Sequence, residues 1–107
     1  GVAGVISPTT LWAATRNYLE LLPHVPEPSR RTTPWGLGWQ MNWPGHRRTF
    51  GDFLSPSAYG HWGATGTMVW IDPARDVYAV VLTSQPLEDH TRRQALFSNA
   101  FCSSVGV

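Results

Sequence analysis

The stretch Tyr59–Pro73, YGHWGATGTMVWIDP, opens with glycines, a histidine and a tryptophan and closes as an apolar strand. Gly60, Gly63 and Gly66 fall within seven residues. Glycines in a strand cost backbone entropy and offer nothing to pack, so their clustering implies that something approaches this backbone closely. Downstream, Thr67–Ile71 and Val77–Ser84 read as two strands. The segment DPARD joins them, with Asp72 and Pro73 suited to the first two positions of a type I turn. The two strands therefore form a β-hairpin. Both are apolar at successive positions: Val69 and Ile71 against Met68 and Trp70, Val80 and Leu82 against Ala79 and Val81. That is the pattern of a sheet covered on both faces.

Working outward, Leu87 to about Cys102 reads as a closing helix. Glu88 and Asp89 sit in its first turn, where the helix dipole favours acids, and Phe97 and Phe101 stack at i, i+4. Toward the N-terminus, Ser7 and Pro8 open a helix as N-cap and first helical residue. Leu11, Trp12, Thr15, Leu19 and Leu22 continue it at helical spacing, and Pro23 and Pro26 end it. His24–Pro34 reads as an exposed loop. In Trp35–Trp43 the residues Trp35, Leu37, Trp39, Met41 and Trp43 alternate with small or polar ones, which predicts a strand. Pro44-Gly45 is a turn, Arg47–Phe53 a short return strand, and Ser55–Ser57 a loop. The expected fold is α+β: an antiparallel sheet flanked by an N-terminal and a C-terminal helix, in one unit over residues 1–107. Two helices are too few to cover both faces of that sheet.

Composition agrees. The chain has 107 residues, 42% hydrophobic and 14% charged, whereas soluble domains average about 25% charge. The shortfall predicts apolar surface that faces further protein. Net charge is +1. The pairs Arg30-Arg31, Arg47-Arg48 and Arg92-Arg93 are diluted by acids, so no nucleic-acid partner is expected. Cys102 stands alone, which rules out an internal disulfide. No apolar run approaches the ~20 residues of a membrane span, and no signal-peptide pattern is present.

There is no Gly-x-Ser-x-Gly elbow, and without any lysine there is no phosphate-binding loop. His24, His46, His61 and His90 are dispersed, so neither a metal nor a cofactor is expected. Trp35, Trp39 and Trp43 on one strand face could stack on a ligand, but burial is the commoner use of such a face. By itself His61 reads as a hydrogen-bonded histidine at a strand end.

From Ser7 to about Cys102 the chain resembles the C-terminal part of the serine beta-lactamase and penicillin-binding-protein superfamily. It is most similar to the class C beta-lactamase-like esterases and D-aminopeptidases. ISPTTLWAATRNYLE looks like a late helix of that fold, and WGLGWQ looks like the strand after it. YGHWGATGTMVWIDPARDVYAVVLTSQ is similar to the His-x-Gly-x-Thr-Gly strand and its hairpin partner. TRRQALFSNAF resembles the closing helix. The order and spacing of these pieces carry the resemblance, and they imply a partial beta-lactamase-like fold.

The resemblance also implies a site. The strand beginning at the motif would form one wall of an active-site cleft. His61 would stand where many members carry the lysine of Lys-Thr-Gly, with Trp62 at the threonine and Gly63 at the glycine. His61, Trp62 and Gly63 would bind substrate. His61 and the backbone N–H of Ala64 would serve catalysis, the latter as half of an oxyanion hole. Thr65 and Gly66 would shape the strand behind the wall.

The family's nucleophile motif, Ser-x-x-Lys, is absent from these residues, and so is Tyr-x-Asn: Tyr18, Tyr59 and Tyr78 precede Glu20, His61 and Val80 two positions on. The expectation is a segment of a longer hydrolase of esters, amides or lactams, inactive alone. Its substrate would be a small molecule or a peptide-like chain, met together with a missing N-terminal part. Val77–Ser84 would be an unpaired edge strand, which favours self-association. The alternative reading is a tryptophan-rich ligand-binding module, or an inactive remnant.

Overall fold

The computed structural model describes residues 4–43, 47–86 and 92–106. Helix α1 (Pro8–Ala14) is followed by a single 3-10 turn at Tyr18–Leu21, then α2 (Glu27–Thr32) and β1 (Gln40–Met41). The helical turn α3 (Arg47–Phe50), strands β2 (Tyr59–Trp62), β3 (Met68–Asp72) and β4 (Val77–Val81), and helix α4 (Arg93–Val105) complete the order. The sheet is an antiparallel meander, β1-β2-β3-β4, with β4 at one edge.

The expected hairpin is present. Asp72 pairs with Val77, and the Arg75 N–H bonds back to the Asp72 carbonyl at 3.2 Å, closing the turn between them. Alternation then sorts the side chains. Met68 and Trp70 of β3 and Ala79 of β4 face α3 and α4, forming a core with Phe50, Leu54, Ala58 and Cys102. Trp70 is wholly buried and meets the Phe101 ring edge-on at 5.7 Å. Burial also pushes the Cys102 thiol up from its ordinary pKa, so it is a core thiol rather than a nucleophile. On the opposite face Tyr59 and Met41 are buried, with Trp39 packed on Tyr59, whereas Tyr78, Val80 and Leu82 are exposed, so among the described residues that face is open toward β4.

Asp72 is more than a turn residue. Its carboxylate is fully buried and accepts hydrogen bonds from the Ser55 N–H at 2.9 Å and from the Ser55 hydroxyl. Arg75 approaches the same carboxylate at 3.4 Å and also donates to the Phe53 carbonyl. A buried carboxylate needs such partners, and together they fasten the 53–58 segment beneath the hairpin.

Several local expectations are corrected. The first helix stops at Ala14 because Asn17 takes over: its Oδ1 accepts from the Leu19 N–H at 3.2 Å and the Trp35 N–H at 3.3 Å. Its amide donates to the Arg30 carbonyl at 2.8 Å, so the side chain competes with the helical ladder. None of the residues of α1 is buried. The helix meets the 35–38 turn through the Leu37 N–H to Ala14 carbonyl bond of 2.9 Å, and it leaves Tyr78 and Val80 on the second sheet face exposed. The expected loop at His24–Pro34 contains α2, with a proline and Glu27 in its first turn, Arg30 and Arg31 in its last, and a Glu27–Arg31 ion pair of 2.7 Å.

The expected strand Trp35–Trp43 is instead a tight turn leading into β1. Trp35 bridges to Gln40, the Gly36 N–H reaches the Trp39 carbonyl at 2.7 Å, and Gly38 has φ of +77°. The return strand expected at Arg47–Phe53 starts as α3, because Phe50 turns into the core and its carbonyl accepts from the Ser98 hydroxyl of α4 at 2.5 Å. Strand β4 ends at Val81 rather than Ser84, since Thr83 turns inward to donate to the Gly66 carbonyl at 3.0 Å. The Pro44-Gly45 turn, and Glu88 and Asp89 at the expected start of the last helix, lie outside the described residues.

Candidate active-site wall

The motif residues lie at the end of a strand, not at its beginning. Strand β2 carries His61 and Trp62, and Gly63 to Thr67 form the hairpin turn into β3. The Gly63 N–H bonds to the Thr67 carbonyl at 2.9 Å, and the Gly66 N–H to the Gly63 carbonyl at 3.0 Å. Thr65 and Gly66 are thus turn residues rather than strand residues.

The glycines answer first to their own chain. Gly66 has φ of +91°, and a Cβ there would lie 1.8 Å from the Gln85 carbonyl oxygen. A Cβ on Gly63 would lie 2.5 Å from the Thr67 hydroxyl. The close neighbour implied by the sequence is therefore in part the segment after β4, which locks the turn in place.

Ala64 occupies the second position of the 63–66 turn and is exposed. Among the described residues its N–H has no hydrogen-bond partner. Gly63, one residue earlier, lines a cleft of about 320 Å³ with His61, Trp62, Thr67, Val69, Val80 and Leu82. The cleft lies on the partly uncovered face, because His61 pairs with Val69 and Val69 with Val80 across the sheet.

His61 is exposed. Its Nδ1 lies 2.7 Å from the Trp62 carbonyl oxygen. Its ring sits 5.3 Å from that of Trp35 and 5.5 Å from that of Trp62. Trp62 turns the other way, packing edge-on to Phe50 at 6.1 Å against the core. Trp35 and Trp39 do not share a strand face: Trp35 stands over His61, while Trp39 meets Tyr59 at 5.2 Å. Burial raises the Tyr59 pKa, keeping the phenol neutral. The structure thus brings His61, Trp62, Gly63 and Ala64 together and adds Trp35, whose approach across the 35–40 turn left no signal in the sequence. Among the described residues, no group of histidine, cysteine or carboxylate side chains could hold a metal. Nor is any helix long and apolar enough to cross a membrane.

Comparison with known proteins gives a consistent answer. The Beta-lactamase family model matches residues 7–100. A protein of Escherichia coli K12 named "Putative D-alanyl-D-alanine carboxypeptidase" is 41% identical over 59 residues, covering 54% of this chain and 14% of its own length. A protein of the same name from Salmonella paratyphi B is 44% identical over 52 residues, covering 48% of this chain and 12% of its own. A crystal structure of a beta-lactamase from Mycobacterium bovis superposes with a TM-score of 0.61 at 30% identity, over 70% of this chain and 28% of that one. The chain therefore spans a small part of the relatives it matches.

Proposed function

The chain belongs to the beta-lactamase family, and from that premise we propose that it supplies one wall of a serine-hydrolase site, cleaving an ester, amide or lactam bond through an acyl-enzyme. The attacking serine and its base come from a segment outside these residues. Attack on the substrate carbonyl forms a tetrahedral intermediate, whose oxyanion accepts a hydrogen bond from the Ala64 N–H. A fixed donor aimed at that developing charge contributes about 2.7–4 kcal/mol to transition-state stabilisation. His61 hydrogen-bonds the substrate or relays a proton at its ring nitrogen, and Gly63 lets the substrate backbone lie against the end of β2. The uncommitted Ala64 N–H, in a braced turn next to a cleft-lining glycine, is the observation that carries this reading.

The same reading assigns the uncovered part of that face and the β4 edge to contact with the missing part, as the exposure of Tyr78, Val80 and Leu82 supports. A serine-reactive acylating probe tests the proposal. The 107-residue chain should not be labelled, and it should elute as dimers or larger species as concentration rises. A protein extended upstream through a Ser-x-x-Lys and a Tyr-x-Asn should be labelled. Saturable, serine-reagent-sensitive ester hydrolysis by the short chain, or an upstream reading frame without those motifs, would overturn it.

A further inference from the structure

His61 is exposed, yet its ring has a hydrogen-bond partner and two aromatic neighbours. Its Nδ1 lies 2.7 Å from the carbonyl oxygen of the next residue, Trp62. A carbonyl oxygen can only accept, so Nδ1 carries a proton in both the neutral and the charged ring. On a solvent-facing strand end, water competes for that bond. Something must hold the ring against rotation.

Trp35 is built to do so. Its N–H donates to Asn17 Oδ1 at 3.3 Å, its carbonyl accepts from the Tyr18 N–H at 2.6 Å, and it bridges to Gln40. This backbone, fixed from three directions, sets the indole 5.3 Å from the His61 ring at an interplanar angle of 60°, and the Trp62 ring, 6.3 Å from that of Trp35, completes the cluster 5.5 Å from His61. Trp39 is likewise half-buried but packs on Tyr59.

We infer that Trp35 is a positioning residue for His61: its ring and the Trp62 carbonyl hold the imidazole as the Nδ1–H tautomer, leaving Nε2 as the nitrogen offered to a substrate. Neutral, Nε2 accepts one hydrogen bond from a substrate hydroxyl, amide or amine. Charged, it donates one to a carboxylate or an oxyanion. The bearing of this on catalysis rests on the role proposed above for His61, whereas the tautomer does not.

The test needs no turnover, so its failure is separate from failure of the proposed function. Long-range nitrogen–proton correlation spectra of the labelled chain at alkaline pH report which ring nitrogen is protonated, with His61 assigned by the signal lost in His61→Gln. The expected result is Nδ1–H for His61. Trp35→Leu should give tautomer exchange with signals averaged between the two forms, Trp35→Phe should restore the Nδ1–H pattern, and Trp39→Leu should leave it unchanged. If Trp35→Leu loses the dispersed amide spectrum, Trp35→Met takes its place, with the same averaging expected and an unaltered pattern equally overturning the inference. Nε2–H in the unsubstituted chain, an unaltered pattern in folded Trp35→Leu, or averaging in Trp39→Leu but not in a Trp35 variant would overturn the inference.

Discussion

Trp70→Ala should leave little folded protein at room temperature. Trp70 has no exposed surface and sits across the hairpin from Ala79, with Phe50, Met68 and Cys102 in the same cluster and Phe101 edge-on to its ring. Truncating a buried tryptophan costs about 3–5 kcal/mol, because the transfer term and the unfilled cavity add. Domains are stable by only ~5–15 kcal/mol, and a chain with one sheet face partly uncovered belongs at the low end. Urea denaturation followed by far-UV circular dichroism would show the midpoint falling sharply or vanishing. Trp70→Phe should lose less, since it keeps a ring against Phe101. A midpoint unchanged by Trp70→Ala would mean that the core is not centred on β3.

The second large effect concerns chemistry. Ala64→Pro removes the one N–H assigned to the oxyanion. Proline is also favoured at the second position of a β-turn, and Ala64 holds that position between Gly63 and Gly66. Stability should therefore change little. In a protein that carries the serine segment, kcat should fall about 100- to 1,000-fold with KM little altered, as for loss of an oxyanion-hole donor. Steady-state kinetics on one activated ester would decide it, with Ala64→Ser, which keeps the N–H, near the unsubstituted rate. Equal rates for the proline and serine variants would remove Ala64 from the mechanism.

The hairpin and the closing helix were legible in the sequence because they rest on local signals: alternating apolar residues, a DPARD turn, and phenylalanines at helical spacing. Elsewhere the chain departs from its local pattern for separate physical reasons. In Trp35–Trp43 the apolar alternation was real, but Gly36 and Gly38 bent the chain before it could pair. Residues 24–34 read as a loop on their Pro, Ser, Thr and Arg content, yet a proline in the first turn, Glu27 before Arg31, and basic residues at the end are helix signals. Asn17 and Ser98 acted through tertiary hydrogen bonds that no spacing announces. At the site, the residue positions came from motif resemblance. The hold of Trp35 on His61 and the packing of Gly66 against Gln85 exist only after folding.

The order of the sheet also separates local from distant contacts. Each strand pairs with its neighbour along the chain, so β2-β3 and β3-β4 close through short turns and can zip in microseconds. The ties of α4 to the α3 region, Ser98 to Phe50 and Asn99 to Asp52, close loops of 48 and 47 residues. The largest single loop-closure cost therefore falls on this one docking, although the logarithmic dependence on length keeps it modest. The turn bearing Ala64 thus closes through contacts near in the chain, whereas the cover over Trp70 depends on a contact far along it.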